Sequence, residues 1–268
     1  MDADIARGLI ALNNRFYAEH AASFSATRSA PWAGWSQLLD ELRSAGGLSG
    51  CSKLSALDLA CGNLRFERFL AEALPACELR VHAVDSCPAL IERAPAMDAA
   101  RIHYQQLDIL EELLSRETPP HAMPRKPFDE SAYDLTVCFG FMHHVPGAAL
   151  RQRLLDLLVD ATAPHGFIAL SCWQFMGDAR LAAKALQADD FASAAPPFPG
   201  FSLHALEEHD HFLGWQDDAR PLRYCHHFAD ADIDNLVAHV APRARELARW
   251  SADGRSGTLN RYLLLQRS

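Results

Sequence analysis

Three aspartates close short apolar runs in the first half of the chain: Asp58, Asp85 and Asp108. Asp58 opens the segment Asp58-Leu59-Ala60-Cys61-Gly62-Asn63-Leu64-Arg65, where small residues at 60 and 62 leave room for a ligand against the backbone. Asp85, followed by Ser86, lies about 23 positions beyond Gly62, near the interval at which a ribose-binding acid follows a glycine-rich turn. A carboxylate there accepts hydrogen bonds from both hydroxyls of a ribose. Asp108, followed by Ile109, is placed to read an adenine amino group. Dinucleotide-binding turns keep three glycines and receive a pyrophosphate. Here an acid closes the first run and one glycine survives. Negative charge at that point repels phosphate and suits a cation, such as a sulfonium and its amino group.

These residues act together only if the chain sets them along one sheet edge. Apolar runs at 54–60, 79–84, 103–107, 133–139 and 167–173 read as strands, alternating with helical stretches at 66–74, 88–91 and 148–159. The alternation predicts a mostly parallel sheet with helices on both faces and a ligand crevice beyond the carboxyl ends of the strands. Residues 5–48 read as helical, broken at Pro31 and closed by Gly46-Gly47. The proline-rich stretch 117–127 is expected to be a surface loop. From 176 to 222 the alternation stops, apart from a helix at 181–188, and this reads as an insertion that covers the site. A last helix follows at 230–240, then two closing strands at 245–250 and 260–265 around Asp253-Gly254. The expected organisation is one domain: a helical cap (1–50), a core (51–175), the insertion (176–222), and a closing helix and strands (223–268).

The chain has 268 residues, 49% hydrophobic and 22% charged, enough for one sizeable globular domain. Its 25 basic and 34 acidic side chains give a net charge of −9, which argues against general binding to nucleic acid or anionic membranes. The charge is uneven: residues 185–235 hold ten acids and two arginines, whereas 241–268 hold six arginines and two acids. No run approaches the roughly 20 apolar residues of a membrane span. The start, Met1-Asp2-Ala3-Asp4, lacks a signal-peptide pattern, so a cytoplasmic protein is expected. Seven scattered cysteines without C-x-x-C read as buried reduced thiols rather than a disulfide framework or zinc knuckle.

In its central part the sequence resembles the class I S-adenosylmethionine-dependent methyltransferases. Asp58-x-Ala60-x-Gly62 resembles their first motif, Asp85 their ribose acid and Asp108 their adenine-side acid. Tyr133-Asp134-Leu135-Thr136-Val137-Cys138-Phe139 with His143-His144 resembles the fourth motif, and Pro164-His165-Gly166 the turn before the fifth strand. The likeness spans about residues 54 to 173. It implies an α/β, Rossmann-like class I fold with a mostly parallel seven-stranded sheet, an N-terminal helical cap and an insertion before the last helix. It also implies S-adenosylmethionine as cofactor and S-adenosylhomocysteine as product. Asp58, Ala60, Gly62, Asn63, Asp85, Ser86, Asp108, Ile109 and Phe139 would then bind the cofactor. The family's three glycines read Ala60, Gly62 and Leu64 here, and a leucine at 64 is expected to narrow the loop.

The flanks resemble the tRNA wobble-uridine carboxymethyl methyltransferases. Tyr17-x-x-x-Ala21-x-x-Phe24-Ser25-x-Thr27-Arg28-x-x-Pro31-Trp32 is similar to their N-terminal signature. Arg223-Tyr224-Cys225-His226-His227-Phe228 is similar to Arg-Tyr-Tyr-His-x-Phe, with Cys225 in place of a tyrosine, and the segment from Asp210 to Trp215 also follows their pattern. The family's Asn-x-Ile is absent at 18–20. This likeness implies Tyr17, as a lid, Arg28 and Trp32 on the cofactor side, with Arg223 and Tyr224 at the acceptor.

A carboxylate acceptor is ionised at neutral pH and needs no base; it needs a guanidinium, which Arg223 or Arg28 supplies. A hydroxyl or amine acceptor wants a base, and His143 or His144 follows the fourth strand; the alternative is that one of them merely packs under the loop. His209, His211, His226 and His227 invite a metal reading, but no ligand spacing is met and no metal is expected. Among Phe139, Phe141, Trp173, Phe175 and Trp215, core packing accounts for most, with Trp215 the exception. The acceptor is tRNA, as the flanks suggest, or a small molecule. An acidic cover sits awkwardly beside a phosphate backbone, so RNA would arrive along the basic closing strands or with a basic partner subunit. Two rival readings are an inactive cofactor-binding subunit supporting a partner enzyme, and a nicotinamide-dependent Rossmann enzyme, which the acid at 58 disfavours.

Overall fold

The apolar spacing before the first strand produces two helices separated at Pro31, α1 (Ala3–Ala26) and α2 (Ala33–Ser44). Asp2 caps α1 by accepting from the Asp4 amide at 2.9 Å. The computed structural model describes residues 1–28, 30–48, 50–94, 101–115, 128, 132–216 and 218–268; the stretch expected as a surface loop at 117–127 lies outside them. No helix among the described residues is long and apolar enough to cross a membrane.

Then strands and helices alternate: β1 (Lys53–Leu59), α3 (Arg65–Ala73), β2 (Glu78–Asp85), α4 (Pro88–Ile91), β3 (Ile102–Gln106), α5 (Ile109–Ser115), β4 (Tyr133–Cys138), α6 (Ala148–Ala161) and β5 (Thr162–Trp173). Next come α7 (Ala179–Ala194), the hairpin β6 (Asp210–Trp215) and β7 (Asp218–His226), α8 (Asp230–Val240), β8 (Ala244–Ala252) and β9 (Asn260–Arg267). Seven strands form one sheet in the order β3-β2-β1-β4-β5-β9-β8. The first five pair in parallel and β9 runs antiparallel to both neighbours. Strand order reverses between β1 and β4, and such a switch point opens a crevice beyond the strand ends. One face of the sheet packs against α1, α5, α6 and α8, through Ile10, Leu110, Leu154 and Ile233 among others. The other packs against α2 and α3, through Trp35, Leu38, Leu42, Phe66 and Leu70. Burial on both faces explains why β4 and β5 read as unbroken apolar runs.

The region expected as a simple insertion is more ordered than its sequence suggests. After α7 it forms a separate two-stranded sheet, and β7 continues to His226, across the boundary expected at 222. Arg223 through His226 therefore belong to this hairpin. Gly214 and Pro221 interrupt the alternation that would announce the strands, and the register shifts between Leu213 and Trp215. Leu9 and Leu12 of α1 bury against Phe212 and Tyr224 of the hairpin, which fixes the first helix over the crevice.

Candidate active site

A cavity of about 700 Å³ lies beyond the carboxyl ends of β1, β2 and β4, roofed by α1 and the connection to α2. That volume suits a small-molecule site. Asp58, Asp85 and Asp108 all line it, as do Ala60, Gly62, Asn63, Ser86, Ile109 and Phe139. The turn out of β1 places Ala60, Gly62 and Leu64 at φ of +66°, +59° and +57°. Amides of Ala60 and Cys61 donate to the Val84 carbonyl at 2.8 and 3.1 Å, tying the turn to β2. Asp85 completes the tie: its two oxygens accept from the Gly62 amide at 2.9 Å and the Cys87 amide at 2.8 Å. Burial raises its carboxyl, and those two amides oppose the rise. Leu64 does not narrow the loop. Its side chain packs away from the cavity, with Cys61 and Ala83.

Asp108 is more committed than the sequence suggests. One oxygen caps α5 by accepting from the Leu110 and Glu111 amides, both at 3.1 Å, and the other accepts from Asn14 at 2.6 Å. Asp58 faces a second buried acid, Glu67 of α3. Burial raises both, Asp58 to about 7 and Glu67 well above the carboxylate range, so near neutral pH the pair retains a proton.

Three arginines also line the cavity. Arg223 is 7% exposed, its guanidinium over the rings of Phe16, Trp215 and Trp173 at 5.1, 5.4 and 5.7 Å. Arg28 lies 3.7 Å over Phe24, and Arg65 lies over Trp32 and Trp35 at 4.8 and 5.0 Å while donating to the Ala30 carbonyl. Among the described residues none of the three has a carboxylate within ion-pair distance, although buried arginines are normally paired. Burial lowers Arg28 and Arg65 to about 10.

Segment 185–235 contributes Arg223 to this cavity, and none of its described acids lines it. Those acids hold the hairpin together. Asp189 accepts from the Phe212 amide and pairs with His211, Glu207 pairs with Arg151, and Asp232 pairs with His209. Asp210 accepts from the Tyr224 hydroxyl at 2.7 Å and from His226 at 2.8 Å. Tyr224, expected at the acceptor, is fully buried and does not line the cavity: neighbouring strand residues face opposite ways, and its hydroxyl is spent on Asp210. Three of the four histidines offered for a metal are thus bound to carboxylates, and His227 accepts from the Met176 amide.

Tyr17 donates its hydroxyl to His144 Nε2 at 2.7 Å, and the Tyr224 carbonyl, 3.0 Å from Nδ1, can only accept, which places the imidazole proton there. Asn13 brackets the same peptide, donating to the Tyr224 carbonyl at 3.1 Å and accepting from its amide at 2.8 Å. Burial, reinforced by Arg223, lowers His144 to about 3, and burial holds His143 well below its ordinary range. Both imidazoles are neutral. His143, His144 and Cys225 bring their ligating atoms within 4.8 Å of one another, but Arg223 and Arg28 stand beside the histidines and disfavour a cation. Phe141, Trp173 and Trp32 also line the cavity, whereas Phe175 is fully buried elsewhere. Asn13, Arg65 and Glu67 were not anticipated from sequence. Asn13 had a signal, a polar residue inside the buried stripe Leu9, Leu12, Phe16.

Residues 57–168 match the family model described as a methyltransferase domain. No curated protein sequence matches the chain. Among solved structures, the complex of DhpI with S-adenosylmethionine and HEP is 16% identical, over 97% of this chain and 98% of that one, with a TM-score of 0.58. Magnesium protoporphyrin IX methyltransferase from Synechocystis PCC 6803, with bound S-adenosylhomocysteine, is 13% identical over 95% and 99%, with a TM-score of 0.52. CalS10 from Micromonospora echinaspora, an amino pentose methyltransferase with bound S-adenosylmethionine, is 16% identical over 93% and 96%, with a TM-score of 0.51. Residues 57–168 thus resemble a methyltransferase domain, and the fold is that of the S-adenosylmethionine-dependent methyltransferases.

Proposed function

We propose that this methyltransferase takes its methyl group from S-adenosylmethionine and esterifies a carboxylate on a small acceptor held by Arg223. The carrying observation is Arg223 itself, a buried guanidinium walled by aromatic rings, with no carboxylate within ion-pair distance among the described residues. An anion from outside supplies the missing charge.

The residues on the other side fit the cofactor. The turn at Ala60 and Gly62 admits close approach, and Asp85 uses one lone pair on each oxygen and keeps the others for a ribose. Asp58 suits the amino group, and Arg65 with Arg28 suits the amino-acid carboxylate. Bound there, S-adenosylmethionine supplies a methyl group activated by its sulfonium. The protein's part is alignment and exclusion of water, because a carboxylate acceptor needs no proton removed. That fits His144, which is neutral and held by two hydrogen bonds, so its role is to orient Tyr17 against the acceptor rather than to act as a base.

The size of the acceptor is argued from charge. The basic closing strands, which an RNA backbone would need, are half neutralised from within: of their six arginines, Arg243 pairs with Asp156 and Asp160, Arg249 with Asp234 and Glu246, and Arg261 with Asp230. The second reading, a carboxymethylated tRNA, is carried by the Tyr17–Trp32 and Arg223–Phe228 motifs. Methyl-tritiated S-adenosylmethionine incubated with a low-molecular-mass extract and, separately, with bulk tRNA tests both. The expected label enters the small molecules and is released by mild alkali as volatile methanol, the mark of a methyl ester. Label in tRNA favours the second reading, and alkali-stable label overturns the carboxylate in either.

A further inference from the structure

At the end of the sheet opposite the cavity two thiols meet. Cys51 lies just before β1 and Cys77 just before β2, and these parallel strands pair Lys53 with Glu78 in register. The Glu78 amide donates to the Ser52 carbonyl at 2.9 Å, which fixes the starts of both strands side by side. The Cys51 and Cys77 sulfurs are 2.6 Å apart. Cys51 is half-buried and Cys77 is 5% exposed. The remaining five cysteines are buried, and no other pair of sulfurs is in contact among the described residues. Nor do Cys51 and Cys77 belong to any group of three metal-ligating side chains among those residues.

We propose that Cys51 and Cys77 are a redox-active pair that closes to a disulfide by exchange with a low-molecular-weight disulfide such as oxidised glutathione. The more accessible Cys51 loses its proton and attacks one glutathione sulfur, forming a mixed disulfide and expelling one glutathione thiolate. Cys77 then loses its proton and attacks the Cys51 sulfur, expelling the second. Two protein thiols are oxidised and one glutathione disulfide is reduced to two thiols. Burial holds the Cys77 thiol up at about 12, so the second step quickens as pH rises.

The bond would fasten the parts that carry the cavity wall. Cys51 closes the turn after α2, its amide donating to Leu48, and Cys77 closes the turn after α3, its amide donating to Leu74. The opposite ends of those helices present Trp35, Arg65 and Phe66 to the cavity. Stapling their far ends stiffens both connections without touching the site.

To test this, the purified protein is incubated with oxidised glutathione, quenched in acid and denatured. Its free thiols are then counted and its peptides mapped by mass spectrometry. Two of the seven thiols should disappear, residues 51 and 77 should be joined, and Tm should rise by about 5 °C, all reversed by dithiothreitol. In Cys51→Ser, an exposed-side change that leaves the core intact, no intramolecular bond should form. Seven persisting thiols, a glutathione adduct on Cys51 that Cys77 fails to resolve, or a bond between other cysteines would each overturn the proposal.

Discussion

Replacing Arg223 with methionine separates its contribution to the fold from its contribution to the reaction. The guanidinium gains from three ring faces at 5.1 to 5.7 Å, worth about 0.5–2 kcal/mol in all. Against that, a cation 7% exposed and with no counter-charge among the described residues carries a desolvation cost of several kcal/mol. Methionine keeps the apolar stem and a sulfur that packs well on the same rings. Arg223→Met should therefore melt within about 2 °C of the native protein or above it, since about 1 kcal/mol corresponds to 2–4 °C at this size. Its calorimetric affinity for S-adenosylmethionine should be unchanged. Loss of a charged, bidentate contact to the acceptor costs about 2–4 kcal/mol, so kcat/KM should fall by roughly 30- to 1,000-fold. The assay is methyl-tritium transfer to the acceptor fraction identified with the native protein, alongside melting and calorimetry. A Tm drop beyond about 5 °C with loss of cofactor affinity would make Arg223 a structural residue. Turnover within threefold of native would show that it does not hold the acceptor.

Asp58 and Glu67 hold protons more tightly folded than unfolded, so between about pH 4 and 7 the native chain binds more protons and stability falls as pH rises through that window. Glu67→Gln, which keeps the shape of the side chain but cannot ionise, should flatten Tm between pH 5 and 8 and raise it at pH 8; an unchanged slope refutes the pairing. Ala60→Gly relieves a left-handed alanine, worth about 1–2 kcal/mol, against about 0.4–1 kcal/mol of unfolded-state entropy. Tm should rise by about 1–4 °C, and a fall would show that the turn is not strained. Tyr224→Phe strands Asp210 without a 2.7 Å donor and should cost about 1–3 kcal/mol of stability, while kcat/KM at 25 °C stays within about threefold. A hundredfold loss of turnover would return Tyr224 to the reaction.

The sheet and its acids were legible because strand runs, helix periods and the residues that end them are local features. Arg223 and Tyr224 show where that reading stops. Adjacent in one motif, they face opposite sides of a strand that the sequence does not announce, and only one reaches the cavity. Glu67 lies one helical turn past the first motif, and nothing in its neighbours signals that it meets Asp58. The sequence counts charges but not their partners, and Asp156, Asp230 and Asp234 take up three of the six arginines that the closing strands seemed to offer to phosphate. Cys51 and Cys77 escaped for the same reason: strand pairing, not spacing, brings them together.

The place of β9 bears on how the chain is made. It is the last strand in chain order, yet it lies inside the sheet, pairing with β5 from Phe167 to Trp173 on one side and with β8 on the other. During synthesis, β5 presents a free apolar edge until residues 260–267 have emerged, and β8 has no partner in the sheet at all. Free edges invite pairing with other nascent chains. The edge of β5 therefore stays open from its own emergence until residues 260–267 follow, and whatever lengthens that interval raises the risk of mispairing.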